Sequence, residues 1–95
     1  MNECQIFQRA INAWGVDFQE EQCVEECAEL IVAIKHVKRN SHSASVHERH
    51  NAVITEIADV AIMLEQMKLM YGEDNFKTEY ERKLKRLEDR LDAKT

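Results

Sequence analysis

An all-α fold is predicted by three observations: the chain contains no proline, it has only two glycines, and every long segment repeats its apolar residues at helical spacing. The ninety-five residues make one small domain, 1–95, whose core is modest unless a metal or partner subunits add to it. The glycines act as punctuation. A first helix is predicted from about Glu3 to Trp14, with Ile6, Phe7, Ala10, Ile11 and Trp14 on one stripe, and it stops at Gly15. A second helix takes Asp17 as its N-cap, with Glu20 three residues on, and continues to about Arg39. Its core stripe is Cys23, Cys27, Leu30, Ile31, Ile34 and Val37.

The polar stretch Asn40-Ser41-His42-Ser43-Ala44 predicts the one internal loop. Ser45 and Glu48 then supply a capping box for a third helix that reaches about Tyr71 and ends at Gly72. The fourth helix begins after Asp74 and carries Phe76, Tyr80, Leu84, Leu87 and Leu91 as a sparse stripe between charges. The second and third helices are apolar on more than one side, because Ala28, Val32 and Ala33 lie beside one core stripe and Ile62 and Met63 lie near Asp59. A surface helix needs a single apolar face, so the surplus points to packing against another subunit, in a homodimer or a dimer of dimers.

Composition narrows the function. A formal charge of -5 argues against a duplex nucleic-acid binder, since affinity for a phosphate backbone comes largely from a basic surface. No run of about 20 apolar residues could span a membrane, and the N-terminal residues lack the basic start and apolar stretch of a signal peptide. Cys23 and Cys27 lie one turn apart and Cys4 has no partner, so disulfides are not expected and the thiols read as small buried apolar residues in a reducing cytoplasm.

Five carboxylates carry the chemistry: Glu25, Glu26 and Glu29 in CVEECAELIVAI, and Glu56 and Asp59 in VITEIADVAIML. On a helix, residues three apart lie about 60° apart around the axis, so Glu26 with Glu29 and Glu56 with Asp59 make two pairs of oxygen ligands. Residues 23–34 and 53–64 hold no Lys, Arg or His to neutralise them. A hard cation does so most simply, and Mg²⁺, with Mn²⁺ as its substitute, suits oxygen ligands that also meet a substrate phosphate. Two such pairs fit one to three ions. Ferritin-type metals are disfavoured because that scaffold uses Glu-x-x-His pairs and neither pair here supplies the His.

The segment Glu25-Glu26-Cys27-Ala28-Glu29-Leu30, followed after a gap by Glu56-Ile57-Ala58-Asp59-Val60, resembles the EExxE…ExxD signature of the MazG-like, all-α nucleoside triphosphate pyrophosphatases, over about residues 14 to 90. The resemblance implies a four-helix, MazG-like bundle completed by oligomerisation. It also implies Mg²⁺-dependent hydrolysis of an NTP or dNTP to the monophosphate and pyrophosphate, in nucleotide-pool house-cleaning. Carried over by position, Glu26, Glu29, Glu56 and Asp59 are the metal ligands, and Glu25 is the general base that prepares the attacking water. Lys83, Arg86 and Arg90 share one face of the last helix at i, i+3 and i+7, where the resemblance places phosphate-binding bases.

Blander readings stand beside these. The five acids could be a solvated helix face, and the basic stretch KLKRLEDRL a plain charged helix. Trp14 could stack on a nucleobase, but it also completes an apolar stripe and is expected in the core. Gln19 and Gln22 could meet a base edge, although glutamines in a first turn are ordinarily exposed; His42, His47 and His50 show no zinc-like spacing; Met63, Met67 and Met70 are expected in the core. A non-enzymatic nucleotide or metal sensor on the same scaffold is the alternative function, and a purely structural bundle the third. Base, sugar and damage preference are left open.

Overall fold

A computed structural model describes residues 1–39 and 45–94; the loop expected at 40–44, with His42, lies outside the described residues. Four helices follow in order: α1 Glu3–Trp14, α2 Val16–Lys38, α3 Val46–Tyr71 and α4 Glu73–Lys94. The described residues contain no strand.

Local chemistry explains each boundary. Asn2 caps α1 in a reciprocal box, its Oδ1 accepting from the Gln5 backbone N–H at 2.8 Å while Gln5 Oε1 accepts from the Asn2 N–H at 2.9 Å. Gly15, at φ +91°, ends α1 and directly caps α2, so the expected Asp17 cap is corrected: Asp17 already lies in the first turn, where its charge favours the helix N-terminus. Ser45 does cap α3, its Oγ accepting from the Glu48 N–H at 3.0 Å. Gly72, at φ +119°, closes α3, and α4 starts at Glu73 without the short loop expected up to Asp74. A positive φ lets one glycine reverse the chain, so no further linker residues are required.

The long helices α2 and α3 form the main packing pair; α1 leans on both, and α4 touches only α3. The core is thin, with Ile11, Ala33, Val60 and Met63 as its buried apolar residues. Its centre is polar: Gln19 and Gln66, each 3 % exposed, are joined by a hydrogen bond from Gln19 Nε2 to Gln66 Oε1. Gln19 is thus a core residue and not the exposed first-turn glutamine expected. The stripe read for α2 is also turned by part of a rotation, since Ile31 and Ile34 are exposed while Gln19 and Ala33 face α3. Ile6 and Trp14 of α1 are likewise exposed, Trp14 by 63 %, which corrects its expected place in the core. Met63 is buried, and Met67 and Met70 are half-buried. The thiols are less buried than expected: Cys4 is exposed, and Cys23 and Cys27 are half-buried. Burial and the neighbouring Cys27 raise the Cys23 thiol above its ordinary value, favouring the unreactive neutral form.

Candidate metal centre

The site forms where the middle of α2 faces the first half of α3. Helical spacing puts Glu26 and Glu29 on the side of α2 turned toward α3, and Glu56 and Asp59 on the answering side of α3. Carboxylate oxygens of Glu26, Glu29 and Glu56 lie within 4.8 Å of one another. Asp59 sits against the same group and raises the carboxyls of both Glu26 and Glu56.

The electrostatics are those of an uncompensated cluster. Burial first, then the charges of Glu29, Asp59 and Glu56, hold the Glu26 carboxyl above its ordinary range. Glu56 is raised in the same direction by burial, then by Glu29 and Asp59. Glu26 Oε2 and Glu56 Oε2 are buried without a hydrogen-bond donor. Carboxylates this close can satisfy each other only by sharing a proton; with every member ionised, each oxygen is an acceptor facing acceptors. Oxygen donors alone, a spread that one small ion can bridge and buried oxygens without donors fit a hard divalent cation.

The remaining sequence candidates fall outside this cluster. Glu25 is exposed beside it on α2, receiving a 3.5 Å hydrogen bond from Gln22 Nε2. Lys83, Arg86 and Arg90 lie on the exposed face of α4, which within this chain packs against α3 and not against α2. Their neighbours on that helix are paired locally: Arg82 with Glu79 at 2.8 Å, and Lys85 with Glu88 at 3.2 Å and Asp89 at 2.8 Å.

Two features escaped the sequence reading. Arg49 is buried on α3, two turns before Glu56 and on the same face, just ahead of the base-free stretch. An i, i+7 count back from Glu56 would have found it. An open groove of about 360 Å³ borders the acids, lined by Ala28, Val32, Ala33 and Ala52 together with Glu29, Glu56 and His36. Another groove, about 760 Å³, lies between α3 and the start of α4, lined by residues such as Leu64, Tyr71, Phe76 and Tyr80, and includes none of the clustered acids. No helix among the described residues is long and apolar enough to cross a membrane. Comparison with family models, with curated proteins and with solved structures finds no match to this chain.

Proposed function

We propose that this chain is a Mg²⁺-dependent, MazG-like nucleoside triphosphate pyrophosphohydrolase, cytoplasmic and oligomeric, that converts an NTP or dNTP to its monophosphate and pyrophosphate. The observation that carries the reading is the gathering of Glu26, Glu29 and Glu56 within 4.8 Å, with two buried oxygens lacking donors. A solvated acidic face would spread its carboxylates into water, where each is hydrated separately.

Glu26, Glu29, Glu56 and Asp59 hold the ions in this reading. Bound Mg²⁺ supplies neutralisation of the phosphate oxygens and a lowered water pKa. The apolar lining of the 360 Å³ groove receives the nucleoside beside the acids. Glu25, close to the cluster but outside it, takes a proton from the water that attacks the α-phosphorus. The bond from that phosphorus to the α,β-bridging oxygen breaks, and pyrophosphate leaves with the electron pair. Lys83, Arg86 and Arg90 offset the developing charge once α4 is brought against a site by assembly.

Products decide the matter. Incubation with a nucleotide panel and Mg²⁺ is expected to give monophosphate and pyrophosphate in equal amounts, and Glu25→Gln to lower kcat by about 10²–10⁴-fold while Mg²⁺ and nucleotide still bind. Binding without turnover by the native protein would make it a sensor; stepwise release of inorganic phosphate would make it a different hydrolase.

A further inference from the structure

We infer that Cys23, Cys27 and Met67 form a soft-cation site between α2 and α3, one that takes a single Cu⁺ ion on three sulfur atoms. The site is independent of the hydrolysis proposed above and of the ions that serve it.

The three sulfur-bearing side chains line one open groove of about 500 Å³ between α2 and α3. All three are half-buried, so each is held by packing on one side and reachable from the groove on the other. Cys23 and Cys27 stand one turn apart on the same face of α2, a spacing that puts Cβ atoms about 5–6 Å apart. Their thiols are close enough to hydrogen-bond to each other. Ligands at i and i+4 on a helix can serve one ion, as the paired histidines of helical zinc sites do.

Bonds between the helices bring in the third sulfur. Gln19 Nε2 donates to Gln66 Oε1, and the Tyr71 hydroxyl donates to Glu20 Oε1 at 3.0 Å, so the start of α2 is fixed against the end of α3. Cys23 follows Gln19 by one turn, and Met67 stands next to Gln66 and one turn before Tyr71. The two bonds thus hold the Met67 thioether on the same groove as the thiol pair.

Donor chemistry selects the ion. Thiolate and thioether sulfurs are soft ligands and favour Cu⁺, for which three of them complete a trigonal shell. A structural zinc ion asks for four nitrogen, sulfur or oxygen ligands. Among the described residues lining the groove there is no His, and its carboxylate, Glu20, already accepts from Tyr71. Glu26, Glu29 and Glu56 do not line this groove, so the hard and soft donor sets are kept apart. On binding, each thiol yields its proton to solvent as its copper–sulfur bond forms, Met67 adds a lone pair, and the ion keeps its oxidation state. Because the ligands come from two helices, the ion ties α2 to α3.

Anaerobic titration of the native protein with Cu⁺ buffered by bicinchoninate tests this. The protein is expected to take one ion per chain from the chelator, to show only sulfur neighbours in copper X-ray absorption, and to melt at a higher temperature when loaded. Cys23→Ser and Cys27→Ser are each expected to weaken binding by about 100-fold or more and Met67→Leu by about tenfold, while Cys4→Ser leaves it unchanged. If a serine variant loses helical circular dichroism, alanine at the same position replaces it. Failure to take up copper, or uptake that survives both thiol substitutions, overturns the site; uptake indifferent to Met67→Leu overturns its extension to α3. Displacement of the copper by millimolar Mg²⁺ would place the ion among the carboxylates and overturn the site as well. None of these outcomes bears on pyrophosphate release, which is scored separately by its products.

Discussion

At the residue scale, the consequential groups are those whose charge or polarity lacks compensation. Glu56 is crowded by Glu29 and Asp59, so Glu56→Gln is expected to raise the melting temperature of metal-free protein by a few degrees and to abolish the further rise that Mg²⁺ gives the native protein. An increase unaffected by Mg²⁺ in both proteins would reduce the cluster to a repulsive face. Gln66 shows the converse. Its amide completes the buried bond with Gln19, so Gln66→Ala is expected to cost about 1–3 kcal/mol in urea unfolding, whereas replacing both by Leu costs much less because no donor is stranded. The acids were legible in the sequence since their spacing and the absence of bases are local facts. The Gln19–Gln66 pair was not, because a bond between residues 47 positions apart has no local signature.

At the element scale, the helix boundaries follow from capping chemistry, and both glycines work through positive φ. A Cβ at Gly72 would meet Asn75 only at ordinary contact distance, 3.5 Å, and one at Gly15 would meet nothing within 4 Å, so any penalty comes from the backbone itself. Gly15→Ala and Gly72→Ala are therefore each expected to lose about 1 kcal/mol, or roughly 4–8 °C in melting temperature, with native helix content retained. An unchanged melting temperature would mean that the junction had relaxed to negative φ. Fold class, helix number and the ends of α1 and α3 were readable because proline, glycine and capping residues report on their immediate surroundings. The rotation of α2 was not: with apolar residues on several sides, the side facing α3 is chosen by packing and not by periodicity. Trp14 misled for a related reason, since periodicity marks an apolar face without saying whether the chain buries it.

For the whole molecule, the acidic cluster couples protonation to stability and, on the proposed reading, both to metal binding. Glu26 and Glu56 are raised in the folded protein, so as pH falls from neutral toward the ordinary carboxylate range the native state takes up protons before the unfolded chain does. Metal-free protein is therefore expected to gain stability across that window, and the gain is complete once the unfolded carboxyls are also protonated. Mg²⁺ prefers the ionised forms, so Mg²⁺-dependent stabilisation is expected to fade over the same window. The Glu79–Arg82 pair acts oppositely: Glu79 is lowered by Arg82, and its contribution is lost only further down, as pH falls through its folded value. Thermal unfolding at a series of pH values with and without Mg²⁺ reads both; a flat metal-free profile above the ordinary carboxylate range would contradict the coupling. The most direct measurement is anomalous diffraction from a crystal soaked in Mn²⁺. The expected result is a peak bridging the carboxylates of Glu26, Glu29 and Glu56 between α2 and α3; full Mn²⁺ occupancy elsewhere, with those side chains turned to bulk water, would contradict the metal centre and the hydrolysis built on it.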